Sequence, residues 1–403
     1  MFELARRMDK VKTSDIRELL KLTDKPGMIS FGGGLPAPEL FPVERLKEVT
    51  AKVLESSGAE ALQYAATEGY QPLRRKIAER MNRRFGTLMS ENNILVTCGS
   101  QQGLDFTGKI FINEGDTVLC ESPTYLGAIN AFSAYGPKMV EVPTDNDGML
   151  PEQLEHILDT ERNIRLIYVI PDSQNPSGRT WSTERRKRFM ELLKGRNIPV
   201  LEDAPYSELR FDGNIMPSLK SMDTEGIIIY LGTFSKVFCP GMRIGWVAAD
   251  ERILEKYGLV KQGADLHSSN ITQRNISAYM EMYDLDSDIE RIRLVYKSRR
   301  DAMHKALLAD FPGGARFTHP EGGLFTWVEL EGDINTRELL VESLGSNVAF
   351  VPGESFFPNG GGKNTMRLNF SNMPEEKITE GIKILGDLIK RRVNCAEACV
   401  NRT

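Results

Sequence analysis

Ile227-Ile228-Ile229-Tyr230-Leu231-Gly232-Thr233-Phe234-Ser235-Lys236, followed by Cys239-Pro240-Gly241-Met242-Arg243-Ile244-Gly245-Trp246, is the stretch on which the reading of this chain turns. A strand with one wet face alternates apolar and polar residues, whereas residues 227–231 are apolar without interruption. Such a run belongs to a strand covered by helices on both faces. Its end changes abruptly to small and hydroxylated residues and then a lysine.

Working outward, the runs at residues 94–98, 117–120, 138–142, 164–170, 198–201, 226–231 and 244–248 are short, β-rich and bounded by turn residues. Stretches of helical periodicity lie between them, at 101–111, 124–134, 151–159 and 183–196. This alternation predicts an α/β fold with a mostly parallel seven-stranded sheet sandwiched by helices. The C-terminal part reads as a smaller α+β unit. It has a charged helix over 288–310, strands at 325–330, 348–351 and 365–370, and helices at 336–344 and 375–392. Asp15 and Glu18 suit a capping pair for a short helix ended by Pro26-Gly27. We expect a large domain over 45–300 and a small one assembled from 1–44 and 301–403.

Composition narrows the function. With 40% hydrophobic and 27% charged residues, the 403-residue chain is ordinary for a globular protein, which excludes disorder, collagen and a disulfide scaffold. Its 51 basic and 56 acidic residues leave a net charge of -5, with no surplus of positive charge to neutralise a nucleic-acid backbone. Five cysteines, at 98, 120, 239, 395 and 399, are an odd number without a secretory signal, as expected of reduced thiols. No run approaches the roughly 18 apolar residues of a membrane helix. A cytoplasmic protein with neither membrane nor nucleic-acid partners is expected. The four histidines show no metal-ligand spacing, so no metal is expected.

In open α/β sheets ligands bind beyond the carboxyl ends of the strands. Residues 94–98 run into Gly99-Ser100-Gln101-Gln102-Gly103, which suits either a phosphate held at a helix N-terminus or a simple cap. Residues 164–170 run into Pro171-Asp172-Ser173-Gln174-Asn175-Pro176-Ser177-Gly178, where Asn before Pro is also an ordinary turn opener. Residues 198–201 run into Glu202-Asp203-Ala204-Pro205-Tyr206, a carboxylate that is either solvated or paired with a buried cation. Lys236 is the sharpest signal, because an amine among small residues just past a buried strand is desolvated and nucleophilic. Arg243 follows at a distance suited to a phosphate.

Jointly, these residues resemble the fold-type I, class I/II aminotransferases that depend on pyridoxal 5′-phosphate, and most of all the 2-aminoadipate and kynurenine-type members. The similarity runs from Ser14-Asp15-Ile16-Arg17-Glu18-Leu19-Leu20 and Ser30-Phe31-Gly32-Gly33-Gly34-Leu35-Pro36 to Met366-Arg367-Leu368-Asn369-Phe370-Ser371. Asn175-Pro176-Ser177-Gly178 and the Ser235-Lys236 to Arg243 run are its most specific pieces. The resemblance implies an aspartate-aminotransferase-like fold. It also implies a ping-pong transfer of an amino group from an L-amino acid (2-aminoadipate, glutamate, aromatic or branched-chain) to a 2-oxo acid such as 2-oxoglutarate.

It further implies a Schiff base on Lys236, Asp203 on the pyridine nitrogen, and Tyr206 with Asn175 on the phenolic oxygen. Ser100, Gln101, Thr233, Ser235 and Arg243 would hold the phosphate, Tyr125 would stack on the ring, and Arg367 with the backbone at Gly34 would take the substrate carboxylate. Tyr64 matches a tyrosine that reaches the phosphate of the partner subunit in a homodimer with shared sites; an aromatic packed in an interface core is the alternative. Arg17 matches a residue that pairs with acidic substrate side chains in some relatives, or is a solvated helix arginine. Asp172-Ser173 departs from the usual aromatic residue there. Two other readings of the scaffold are β-elimination from a cysteine conjugate and a regulatory sensor. The sensor needs an N-terminal winged helix, and with the pattern beginning by about Thr13 none is expected.

Overall fold

The computed structural model describes residues 2–10 and 27–400, and the side chains of 2–9 and 27–393. The expected Asp15–Glu18 capping pair therefore lies outside the described residues, as do Arg17 and the side chains of Cys395 and Cys399. In chain order the strands are β1 (Ile29–Ser30), β2 (Ile94–Thr97), β3 (Thr117–Ser122), β4 (Lys138–Asp145), β5 (Gly148–Met149), β6 (Ile164–Val169) and β7 (Val200–Asp203). They continue with β8 (Ile228–Thr233), β9 (Gly245–Ala248), β10 (Arg316–Phe317), β11 (Phe325–Glu329), β12 (Val348–Ala349), β13 (Val351–Pro352) and β14 (Thr365–Asn369).

Among the described residues, eight strands form one sheet in the order β2-β9-β8-β7-β6-β3-β4-β5. Strands β4, β3, β6, β7 and β8 are parallel neighbours. Seven of the eight match the seven apolar runs; the other, β5, is a two-residue antiparallel hairpin arm on β4, too short to leave a pattern. The reading of residues 227–231 is explained by what covers them. Ile229 and Leu231 pack with Leu104, Val118, Tyr168, Leu201 and Tyr257 on one face. Ile228 packs with Leu119, Ile167, Leu154, Phe189 and Val200 on the other. Full burial of such a side chain contributes about 1.5–3 kcal/mol, so each strand residue is held by the helices on its own side.

Strand β9 runs antiparallel to both β8 and β2. A parallel return needs a crossover of about a dozen residues or more, and the link 234–244 is shorter. The reversal sets the start of β9, rather than its end, beside the carboxyl ends of β8 and β2. Arg243 is thereby delivered to the same edge as Lys236.

The second sheet has the order β10-β11-β14-β13 and is antiparallel throughout. The single strand expected over 348–351 is two strands. Val348–Ala349 pairs with Ile29–Ser30, and Val351–Pro352 pairs with β14; the break at buried Phe350 lets one segment serve two sheets. The N-terminal strand is thus fastened to the C-terminal unit, where the Phe31 N–H also donates to Ala349 O (2.7 Å). Loops of the eight-stranded and four-stranded sheets are joined by backbone bonds from Thr124 N–H to Phe356 O (2.9 Å) and from Gly323 N–H to Leu209 O (3.1 Å). Among the described residues no helix is long and apolar enough to cross a membrane.

Candidate active site

The carboxyl ends of β2, β3, β6, β7 and β8 converge on one cleft between the two sheets. Lys236 stands three residues past the end of β8, and its Nζ donates to Gly34 O at 2.7 Å. Burial, with the charges of Arg367 and Arg243, lowers this amine from 10.5 to about 8. About a tenth of it is therefore the uncharged nucleophile at pH 7, far more than for an ordinary lysine.

Asp203 is the last residue of β7 and is 2% exposed. Its Oδ2 accepts a hydrogen bond from the Tyr168 hydroxyl at 2.8 Å, while its Oδ1 is buried without a partner. Burial raises its carboxyl to about 7. The neighbouring Glu202 points to the other face, where it accepts the Leu219 and Lys220 N–H groups at 2.9 Å each. Strand alternation thus gives two adjacent carboxylates different tasks: Glu202 caps a helix, and Asp203 offers a free oxygen to the cleft.

Arg367, on the central strand β14, is 1% exposed. Its guanidinium donates to Asn175 Oδ1 at 2.8 Å and to Gly32 O at 2.6 Å, stacks over Phe325 and Phe356 at 4.1 and 5.2 Å, and keeps Nε unpartnered. Burial lowers it from 12.5 to about 10. Tyr206, beside Asn175, meets the Phe325 ring edge-on at 5.9 Å. Its phenol is pushed up chiefly by burial, and so is that of Tyr125.

The turn that carries Asn175 is fixed from below. Buried Glu121 accepts Ile170 N–H at 2.8 Å and Trp181 Nε1–H at 2.9 Å. Asp172 takes Arg186 on Oδ1 at 2.6 Å and the Ser207 hydroxyl on Oδ2 at 2.8 Å, tying the Asn175 turn to the residue after Tyr206.

At the other end of the cleft, Ser100 opens the helix Ser100–Phe111 behind Gly99, whose φ is +72°. Arg243 sits in the left-handed region at φ +52° and donates to Cys98 O at 3.4 Å and Pro240 O at 3.1 Å. A Cβ on Gly99 would lie 2.5 Å from the Arg243 guanidinium, and one on Gly245 would lie 2.8 Å from Gly99 C, Ser100 N and Gly232 O. Backbone N–H groups, an arginine and hydroxyls are therefore crowded into one small cradle. Thr233 Oγ1 accepts Ser235 N–H at 3.1 Å and donates to Ser235 Oγ at 3.0 Å, and Gln101 reaches Gly127 O at 3.1 Å. Such a set suits a dianionic phosphate.

The sequence-derived residues Lys236, Gly34, Asp203, Asn175, Tyr206, Tyr125, Arg367, Ser100, Gln101, Thr233, Ser235 and Arg243 thus stand around one cleft. Tyr64 does not join them within this chain: it is 79% exposed and touches His267 edge-on at 5.8 Å. Arg17 lies outside the described residues. Sequence reasoning missed Tyr168, Phe325, Phe356 and the Asp172–Arg186–Ser207 link. The one available signal was a phenol and a carboxylate inside or beside runs otherwise apolar. Among the described residues no group of three or more His, Cys, Asp or Glu is placed to hold a metal ion.

The chain is similar to known proteins over nearly its whole length. The family model described as aminotransferase class I and II matches residues 28–385. An aromatic-amino-acid aminotransferase of Thermococcus litoralis is 46% identical, over 95% of this chain and 93% of that one. A 2-aminoadipate transaminase of Thermus thermophilus is 43% identical, over 94% and 95%. The crystal structure of a Pyrococcus horikoshii kynurenine aminotransferase in complex with PMP superposes with a TM-score of 0.93 at 41% identity, covering 96% and 97% of the two chains.

Proposed function

Because the chain belongs to the class I and II aminotransferases, pyridoxal-phosphate-dependent transaminases, we propose that it works by two alternating half-reactions at this cleft. The amino group of an L-amino acid (2-aminoadipate, glutamate, aromatic or branched-chain) would pass to a 2-oxo acid such as 2-oxoglutarate, with pyridoxal 5′-phosphate carried on Lys236. One observation carries the reading: the depressed amine of Lys236 faces Arg367 and Arg243 in the cleft where Asp203 keeps a buried oxygen without a partner.

The residues fit the cofactor part by part. When bound, pyridoxal phosphate supplies an electron sink for the pair left behind as the α-proton departs. Asp203 Oδ1 would hold a proton on the ring nitrogen. Asn175 and Tyr206 would meet the phenolic oxygen, and Tyr125 would lie on the ring. Ser100, Gln101, Thr233, Ser235 and Arg243 would grip the phosphate. Lys236 Nζ, released when an amino acid takes its place, would accept and return the proton at the substrate α-carbon; at about 8 it suits a base that works near neutral pH. Arg367 with the backbone at Gly34 would clamp the α-carboxylate.

Exposed Tyr64 would reach the phosphate of a second copy, making a homodimer with shared sites. The domain division expected at residues 45 and 300 belongs to this proposal too, with its second boundary inside the helix Leu285–Asp310.

The test is a half-reaction screen: the cofactor-loaded protein is mixed with single amino acids, and the loss of its visible absorbance is followed in native protein and in Arg17→Ala. Conversion by amino donors without an acceptor supports the reading, and selective slowing of acidic donors in the variant assigns Arg17 to their side chains. A folded, loaded protein that no amino acid converts would overturn it.

A further inference from the structure

Tyr168 belongs to no part of the machinery described above, yet it makes the one side-chain hydrogen bond to Asp203 found among the described residues, at 2.8 Å. Register explains how. Tyr168 of β6 lies opposite Leu201 of β7, and Asp203, two residues on, shares Leu201's face. Tyr168 is fully buried and is braced edge-on by Phe132 at 5.7 Å. Its hydroxyl has little freedom to swing away.

We propose that Tyr168 is a positioning residue for the cofactor: its phenol engages one oxygen of Asp203, aims the other at the ring nitrogen and favours the charged carboxylate. The inference rests on the function proposed above and extends it to a residue outside the cofactor's reach.

The geometry requires a donor at this place. A buried carboxylate with neither oxygen satisfied is costly and takes up a proton instead. A protonated Asp203 would have no charge to oppose a protonated ring nitrogen. The titratable groups facing Asp203 are the phenols of Tyr168 on β6, Tyr125 after β3 and Tyr206 after β7, with Glu121 beyond Tyr168. From β8 only Leu231 lies opposite, and Lys236 stands past the strand end. Burial and the charge of Asp203 hold the Tyr168 phenol well above its ordinary range, so it stays a donor at every working pH. Its bond is the one influence found to oppose the upward push of burial on Asp203.

The experiment measures the dissociation constant of pyridoxal 5′-phosphate from pH 5 to 9 for native protein, Tyr168→Phe, and protein carrying 3-fluorotyrosine at position 168. The ratio between proteins cancels the cofactor's own titration. The ratio of the Tyr168→Phe dissociation constant to that of native protein should grow by about tenfold from the alkaline to the acid end, a midpoint moved up by about one unit. Fluorotyrosine, a stronger donor of the same shape, should move the midpoint down. Loss of affinity by one factor at every pH, or unmoved midpoints in both variants, would overturn the positioning role alone. Absence of binding by native protein would overturn the proposed function with it.

Discussion

Lys236 donates from Nζ to the carbonyl oxygen of Gly34 at 2.7 Å, joining the loop past β8 to the segment that follows β1. Burial, then the charges of two arginines, work against the charged amine, and its acceptor is neutral, so its proton is weakly kept. In the protein without cofactor, a lysine lowered from 10.5 to about 8 binds fewer protons folded than unfolded between those values. Stability therefore rises with pH across the window 8 to 10.5. Lys236→Met lacks this rise, so its thermal midpoint should exceed that of native protein below pH 8 and the gap should close toward pH 10.5. A gap that is constant with pH would contradict the depressed amine.

Asp203 runs the opposite way. Its carboxyl is raised from 3.8 to about 7 by burial, so the stability it contributes is present below pH 3.8 and lost as pH rises to about 7. Without cofactor, Asp203→Asn should melt above native protein at pH 8, with the difference shrinking as the pH falls from about 7 toward 3.8. With cofactor the order should invert, because only the carboxylate opposes a protonated ring nitrogen.

Arg186 and Asp172 form a buried ion pair at 2.6 Å, 0% and 6% exposed. Removing one member leaves the other charged and buried without its counter-charge, which costs about 3–5 kcal/mol. Arg186→Met should lose that much in urea unfolding, and Arg186→Met with Asp172→Leu should recover part of it.

Gly99 has φ +72° and no room for a side chain beside Arg243. Gly99→Ala should strain the turn by about 1–3 kcal/mol, because φ +72° with ψ 166° is a glycine-only backbone region, and push the guanidinium out of the cradle. We expect the cofactor dissociation constant to rise by about tenfold or more, roughly 1.4 kcal/mol, as read by fluorescence titration. Arg243→Ala should weaken binding further, and adding Gly99→Ala to it should cost little more.

What was legible in the sequence was whatever a strand and its own end encode. Residues 227–231 declared a doubly covered strand because both faces are apolar, and Lys236, Asp203 and Asn175 could be picked out only jointly, because each alone has an ordinary reading as a turn, cap or solvated charge while the set at successive strand ends does not. What was hidden depends on register and partner choice between distant segments. The Tyr168–Asp203 bond needs the β6–β7 register. The break at Phe350 follows from β1 claiming Val348–Ala349, and β9 reverses because of the short link behind it. Nothing in the helix Thr183–Leu193 itself marks Arg186 as the partner of Asp172, because the two meet only through the packing of that helix on the turn after β6.

The central claim is that Lys236 carries the cofactor. Loading the native protein with pyridoxal 5′-phosphate, reducing it with borohydride and mapping the modified peptide by mass spectrometry tests this directly. A phosphopyridoxyl group on Lys236, lost in Lys236→Ala, is the predicted result. A group on another lysine, or none on a folded protein that binds the cofactor, would contradict the account.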